Sequence, residues 1–411
     1  MRRTTRAIGL IAAGLAPLAC GENAVEPITE LPRPLTAAES QLLAADNRFA
    51  FKLLGAIAAG ETKPNVFISP LSVGMALGMA YNGAAGPTEA AMRQTLELGD
   101  LSLSDINASY RSLIDLLRGL DGSVEFTIAN SLWYRQEFTP APEFVDRVTT
   151  FFDATVAALD FASADAPATI NQWVDQQTRG RIPRIVEPPI PDDAIAYLIN
   201  AIYFKGDWTH QFERARTSPG PFRRADGSER SVPMMHSDGE IPVGYAGAGD
   251  VRILDLAYGG GAYRMTIVLP ATPEDLTALA ARATSEAWAG WVAQLDSTEM
   301  LVVMPKFTLS YDRSLKDDLT ALGMGAAFCE SPEVNFSGMF PDAPACISAV
   351  KHKTFVDVNE EGTEAAAVTS VEVGLTSALP SFDVDHPFVF AIREALSGTI
   401  LFLGVIGDPG A

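Results

Sequence analysis

Histidine is scarce in this sequence, and its scarcity bears on metal chemistry. Four histidines occur among 411 residues, and no two of them stand at the spacing of a metal-binding motif. The Gly-x-Ser-x-Gly elbow of many serine hydrolases and the histidine motifs of metalloproteases are also missing. The sequence therefore argues against a metal, a cofactor or a hydrolytic active site, and we expect the protein not to be an enzyme.

Positive charge is also in short supply. Lysine and arginine number 30 against 51 aspartates and glutamates, which gives a net charge of −21. Such a balance argues against binding to nucleic acid or to an anionic membrane surface. With 47 % hydrophobic residues the chain can nevertheless bury a large core.

Cysteine is limited to Cys20, Cys329 and Cys346. The last two could pair if the protein is exported, and two buried free thiols would fit the sequence equally well. The sequence leaves this choice open.

Long hydrophobic runs are absent, and the apolar core near the N-terminus, residues 7–18, is too short to span a membrane. It follows three arginines within the first six residues, as in an export signal. Cys20 after Leu18-Ala19 resembles a bacterial lipoprotein cleavage site, although Pro17 departs from that motif. We expect residues 1–20 to be a signal peptide, with lipidation of Cys20 and plain secretion as alternatives, and the protein to be extracellular or in the cell envelope.

The mature chain reads as a proline-containing tether over residues 21–35 and one domain over 36–411. Thr36 and Glu39 form a capping box before a first helix, and a short strand from Asn65 leads into a second helix. The strands predicted after it occupy residues 126–134, 196–208, 232–236, 252–258, 263–270, 300–309, 350–358, 387–393 and 399–405, with further helices predicted at 142–152 and within 272–295. There are no internal repeats, and we expect these elements to form one α+β domain, as the family resemblance described below implies.

A segment near the C-terminus, Glu360 to Ser377, reads EEGTEAAAVTSVEVGLTS. The charges after Gly362 fall on one parity and uncharged residues on the other, which is typical of a strand with one buried face. Its three alanines favour a helix instead. From its own residues the segment could be a strand, a helix or a surface loop.

Three stretches carry a family resemblance. ISPLSVGMALGMAYNGAAGPTEAAM (68–92), AYLINAIYFKGDW (196–208) and EEGTEAAAVT (360–369) closely resemble motifs of the serpins, inhibitors of serine proteases. The resemblance covers about residues 36 to 409. It implies a single serpin domain with a large central mixed β-sheet, further sheets, about nine helices and an exposed reactive loop near the C-terminus.

The resemblance also implies a mechanism and a cleavage site. In this family a protease attacks the loop, becomes covalently attached, and is trapped when the loop inserts into the central sheet as a new strand. Counting eleven residues back from Pro387 and fourteen forward from Gly362 both give Thr376, which places the reactive bond at Thr376–Ser377. Thr376 suits elastase-like enzymes. If the bond were one residue earlier, Leu375 would suit chymotrypsin-like or subtilisin-like enzymes.

Further residues match functional positions of the family. The hinge of the loop comprises Glu360, Glu361, Gly362, Thr363, Ala365, Ala366, Ala367 and Thr369. The polar cluster where the sheet parts comprises Ser69, Ser72, Asn200 and His352. Trp208, Lys306 and Glu360 match a group at the top of the sheet.

The expected partner is a target serine protease, bound covalently by a monomeric inhibitor. A heparin site is not evident, because Arg111 and Arg118 of the stretch 101–120 alternate with Asp105 and Asp115. The alternative is a non-inhibitory serpin that acts as a binding or substrate-like protein. A charged, bulky or proline-containing hinge would mark that alternative, and residues 362–369 have none of these features at their buried positions.

Overall fold

Two β-sheets and the helices packed on them make up the part of the chain that the computed structural model describes, residues 27–363 and 380–411. The α-helices in that part are α1 (Ala37–Gly60), α2 (Pro70–Tyr81), α3 (Gly86–Thr95), α4 (Leu103–Gly119), α5 (Pro142–Phe152), α6 (Asp165–Gln177), α7 (Leu276–Arg282), α8 (Ser285–Val292) and α9 (Lys316–Ala321). The capping box predicted at Thr36 and Glu39 is present at the start of α1.

The strands in the described residues are β1 (Asn65–Ile68), β2 (Val124–Arg135), β3 (Ala154–Leu159), β4 (Ala196–Asp207), β5 (Ser218–Arg223), β6 (Glu229–His236), β7 (Ile241–Ala248), β8 (Val251–Tyr258), β9 (Tyr263–Pro270), β10 (Asp296–Pro305), β11 (Phe307–Ser314), β12 (Lys351–Val358), β13 (Gly362–Thr363), β14 (Ser381–Asp383), β15 (Phe388–Glu394) and β16 (Ile400–Ile406).

The central sheet has the strand order β11-β12-β13-β4-β2-β3. Only β2 and β3 run parallel, and the other neighbours are antiparallel, so the sheet is mixed. The second sheet has ten strands in the order β1-β16-β15-β9-β8-β7-β10-β6-β5, with β14 alongside β10. The expected α+β class, the mixed central sheet and the number of helices are confirmed for the described residues.

One predicted strand, residues 300–309, is wrong in its extent. The structure divides it into β10 and β11, which belong to different sheets. Pro305 ends β10, and Lys306 bonds through its backbone to Pro233 before the chain turns into the central sheet. Hydrophobic alternation gives no sign of such a change of sheet, because both halves have one buried face.

Four strands, β3, β5, β7 and β14, lie outside the predicted set. The clearest case is β5, whose sequence SPGPFR contains two prolines and a glycine. It lies at the edge of the ten-stranded sheet, where a proline that lacks an N–H costs no ladder hydrogen bond.

The small residues of α2 allow close helix packing. A Cβ at Gly78 would lie 2.9 Å from Cε2 of Tyr110 in α4 and 3.4 Å from Cε1 of Phe152 in α5. Gly74 of the same helix faces the carboxylate of Asp46 in α1. Side chains of three helices therefore approach α2 closely at its glycines.

Residues 27–35, the end of the predicted tether, contact the domain. Ile28 donates a backbone hydrogen bond to Gly260, and Arg33 pairs with Glu39 and bonds Ser112 of α4. No helix among the described residues has both the length and the apolar character to cross a membrane. Residues 1–26, which include Cys20 and the predicted signal peptide, lie outside the described residues.

Asp46 has a buried carboxylate, although part of the residue is exposed. Tyr110 donates a hydrogen bond of 3.0 Å to Oδ1, and Oδ2 has no hydrogen-bond partner among the described residues. Burial raises the pKa of Asp46 to about 7, and the bond from Tyr110 offsets only part of that rise.

This buried acid predicts a pH-dependent stability. The folded-state pKa lies above the unfolded value, so folding favours the protonated form, and stability falls as pH rises from about 4 to about 7. An Asp46→Asn variant has no such proton to lose. Its free energy of unfolding relative to the wild type should therefore increase by about 1–3 kcal/mol between pH 5 and pH 8. Urea unfolding at both pH values measures this, and a difference that is independent of pH would contradict the prediction.

Candidate functional site

The hinge begins as a tight connection between two strands. Asn359 follows β12, and its backbone N–H donates to the carbonyl of Gly362. Its side-chain Oδ1 accepts hydrogen bonds from the backbone N–H groups of Glu361 and Gly362 at 3.0 and 3.3 Å. These bonds fold residues 359–361 into a turn, so that β13 runs antiparallel to β12.

The two residues of β13 pair with strands on both sides. Thr363 stands opposite Val358 of β12 and opposite Gly206 of β4, and Gly362 stands opposite Asp207. A Cβ at Gly362 would lie 2.2 Å from the carbonyl oxygen of Gly206. The sequence placed Gly362 in the hinge, and the structure shows why a glycine is needed there, namely the close contact of two backbones.

Two ion pairs hold the turn. Glu360 is 4 % exposed and accepts hydrogen bonds from Lys306 Nζ at 2.8 Å and from Thr217 Oγ1 at 2.7 Å. Burial alone would raise the pKa of Glu360, but the bonds from Lys306 and Thr217 lower it overall. Glu361 is also buried and pairs with Arg214. Both carboxylates therefore lie beneath the surface, and each is bonded to a cation from another part of the chain.

Trp208 secures the turn from the side of β4. Its Nε1 donates to the carbonyl of Asn359 at 2.9 Å, and its ring stacks on Tyr258 with a centroid distance of 4.3 Å. The sequence-predicted group Trp208, Lys306 and Glu360 is thus brought together around the hinge. Sequence reasoning missed four contributing residues, namely Asn359, Arg214, Thr217 and Tyr258.

A gap opens in the central sheet directly below Thr363. Within the described residues β4 and β12 are joined only through β13, and no register pairs the two strands directly. A cavity of about 130 Å³ lies between residues 196–202 of β4 and residues 351–355 of β12. Its walls include Asn200 and Ile202 on β4, and His352 and Thr354 on β12. The space between β4 and β12 could therefore hold one more strand. Among the described residues, only the two residues of β13 occupy it.

The predicted sheet-opening residues come together at the bottom of this gap. Ser69 caps α2, and its backbone N–H donates to Nε2 of His352 at 3.1 Å. Ser72 Oγ donates to the carbonyl of Asn200 at 3.2 Å. The Asn200 side-chain amide bonds Oδ1 of Asn130 at 2.8 Å. Each contact is a single polar bond that can exchange partners, whereas an interdigitated apolar seam would leave a void when parted.

The remaining predicted site residues lie outside the described residues. These are Ala365, Ala366, Ala367, Thr369, Leu375, Thr376 and Ser377. Downstream of them, β14 pairs in parallel with β10.

No group of His, Cys, Asp and Glu among residues 27–363 and 380–411 could hold a metal ion. Cys329 and Cys346, left open by the sequence, form a disulfide.

The fold and the hinge define a class of protein in which a short strand, β13, begins to fill a gap between two strands of the central sheet, β12 and β4. The family model described as "Serpin (serine protease inhibitor)" matches residues 44–409. The chain belongs to the serpin family. The family description names inhibitors of serine proteases, so the partner class is a serine protease and the protein is not itself an enzyme.

Relatives and solved structures agree with this assignment. Leukocyte elastase inhibitors of Homo sapiens and Sus scrofa are each 36 % identical over 380 residues, which cover 90 % of this chain and 100 % of theirs. The crystal structure of human thyroxine-binding globulin complexed with its ligand has a TM-score of 0.82 at 28 % identity and covers 91 % of this chain and 100 % of that chain. The native thermophilic serpin tengpin has a TM-score of 0.81 at 27 % identity, with coverages of 93 % and 97 %.

The close contact at Gly362 predicts that no side chain is tolerated there. A Gly362→Ala variant must push β13 away from β4, which should lower the free energy of unfolding by about 1–3 kcal/mol. The control is Gly290→Ala, because a Cβ at Gly290 meets nothing within 4 Å and alanine favours the helix. Thermal unfolding measures both variants, and an unchanged midpoint for Gly362→Ala would contradict the close contact.

His352 predicts a loss of stability in acid. Burial lowers the pKa of His352 to about 4, so the folded state keeps the ring neutral and able to accept the bond from Ser69. The unfolded state takes up a proton near pH 6.5, and stability is therefore lost as pH falls from about 6.5 to about 4. A His352→Gln variant should lose about 1–3 kcal/mol less between pH 7 and pH 4.5. Equal losses in urea unfolding would contradict this.

Proposed function

We propose that the protein is an inhibitory serpin that traps serine proteases through insertion of its loop into the central sheet. The observation that carries the proposal is the position of Thr363, paired with both β12 and β4 above the gap between them. Thr363 is uncharged, compact and buried. A charge at this buried position would cost much more than a hydroxyl and would oppose the strand pairing from which insertion starts.

The proposed chemistry takes place at the bond Thr376–Ser377. The serine Oγ of the protease attacks the Thr376 carbonyl and forms an ester, while the peptide bond breaks and its nitrogen takes a proton to become the amine of Ser377. The residues that follow Thr363, to about Val373, then join it in the strand position and carry the protease along. Distortion of the oxyanion hole stops hydrolysis, since losing one such donor costs about 3–4 kcal/mol of barrier.

We infer an elastase-like target. Thr376 is small and β-branched, and several relatives bear the name leukocyte elastase inhibitor. No lysine or arginine lies between Glu364 and Asp385, which disfavours trypsin-like enzymes. Leu375, one residue earlier, keeps chymotrypsin-like and subtilisin-like enzymes as the second choice for the same mechanism.

We infer no polyanion cofactor and a monomeric inhibitor. Both arginines of α4 are already paired, Arg111 with Asp115 at 2.9 Å and Arg118 with Asp153 at 2.8 Å. A helix whose cations are paired with carboxylates offers no basic stripe to a sulfated chain. One monomer contains every described part of the hinge and the gap.

The test of inhibition uses a single substitution in the hinge. Wild-type protein incubated with an elastase-type and a subtilisin-type protease should give a complex that survives SDS electrophoresis, and a released peptide that begins at Ser377. A Thr363→Arg variant should be cut at the same bond without a complex, because the buried charge stalls insertion. Cleavage of the wild type with full recovery of protease activity would instead support a non-inhibitory serpin.

We also propose that the protein is exported, as a bacterial secreted protein or a lipoprotein anchored through Cys20. The disulfide between Cys329 and Cys346 supports an oxidising compartment, where such bonds persist. Mass spectrometry of the mature N-terminus from the source cells tests this. A diacylated Cys20 or a free N-terminus near residue 20 supports export, and a chain that retains residues 1–20 would contradict it.

A further inference from the structure

Tyr258 makes a contact with the hinge that no family motif in the sequence indicated. It is the last residue of β8 and is fully buried, and its Oη lies 2.7 Å from Oγ1 of Thr363. Thr363 itself is 2 % exposed. The hydroxyl of the first paired hinge residue is therefore bonded inside the protein, away from water.

Tyr258 belongs to the ten-stranded sheet, whereas Thr363 belongs to the central sheet. The tyrosine ring is fixed by stacking on Trp208 and by its closeness to Gly206, where an added Cβ would lie 3.1 Å from the ring. An isolated β-bridge between Trp208 and Tyr258 joins the two backbones. The Tyr258 ring is thus held by its neighbours, and its hydroxyl bonds Thr363 of the hinge strand β13.

We propose that Tyr258 is a positioning residue for inhibition, and that its hydroxyl holds Thr363 in the strand position before any protease attacks. This inference rests on the inhibitory function proposed above. Insertion then starts from a residue that is already paired on both sides. The residues after Thr363 extend the strand β13 and need not first separate β12 from β4. The free energy needed to separate β12 from β4 at this point has already been spent in the native state, because Thr363 lies between the two strands.

The hydrogen bond between Tyr258 and Thr363 affects the rate of loop insertion, which competes with the rate of ester hydrolysis. Burial raises the pKa of the Tyr258 phenol, which keeps its proton throughout the physiological range. Without the hydroxyl, Thr363 can leave the sheet more often, since a lost buried hydrogen bond shifts such an equilibrium by roughly five- to tenfold. Acyl-enzymes formed while the hinge is withdrawn insert more slowly, and a larger share of inhibitor is hydrolysed as substrate.

The experiment measures the stoichiometry of inhibition, the number of inhibitor molecules consumed per protease trapped, with the elastase-type protease. Tyr258→Phe and Thr363→Val each remove one hydroxyl of the pair, and Thr363→Ser keeps it. The matched control is Tyr263→Phe, because Tyr263 is equally buried and its hydroxyl bonds the carbonyl of Leu117 in α4 at 2.6 Å instead of the hinge. The rate constant of protease association and the midpoint of thermal unfolding are recorded for every variant.

We expect Tyr258→Phe and Thr363→Val to raise the stoichiometry about twofold or more with little change in the association rate constant. Thr363→Ser should restore a value near the wild type. The double variant should be no worse than the worse single variant, because both remove one bond. Tyr263→Phe should lower only the unfolding midpoint.

Three results would overturn the inference. These are a wild-type stoichiometry in Tyr258→Phe, additive effects in the double variant, or an equal rise in Tyr263→Phe, which would indicate general destabilisation. A wild type that forms no covalent complex would instead reject the proposed inhibitory function itself. In that event the unfolding midpoints still test the contact, since Tyr258→Phe and Thr363→Val should lower them non-additively.

Discussion

The pairing of Thr363 with β12 on one side and β4 on the other is the constraint on which the rest of the described site depends. It joins two halves of the central sheet that make no direct register with each other in the described chain. Strand pairing leaves little freedom, since backbone groups away from water must find partners. The pairing at Thr363 and the cavity between β4 and β12 are therefore the described features on which the proposed insertion depends.

The hinge is held by charges as well as by strand pairing. Glu360 and Glu361 are buried, and each depends on a cation from another element, Lys306 after β10 and Arg214 after β4. The cations are partly exposed, and removing either one would leave a buried carboxylate without its charged partner. The sequence placed Glu360 and Lys306 in one group at the top of the sheet, and the structure shows that the carboxylate of this pair is buried. The two ion pairs therefore tie the turn to segments that are distant in the sequence.

Much of the fold could be predicted because it depends on local patterns. The capping box at Thr36, the apolar run of β4 and the glycines of α2 each follow from the chemistry of a few neighbouring residues. The predictions failed where one pattern served two sheets, as at β10 and β11, or where an edge position tolerated prolines, as in β5. Strand partners are chosen by distant parts of the chain, and hydrophobic alternation carries no record of them.

The sequence by itself determined the family, the hinge and the polar residues beneath the gap, because long motifs place particular side chains at fixed spacings. Only the tertiary structure decided which residues hold the hinge. Tyr258, Arg214 and Thr217 are separated from it by more than a hundred residues and lie in segments with no motif of their own. Their roles arise from the meeting of two sheets at Trp208, and contacts of that kind exist only once both sheets have formed.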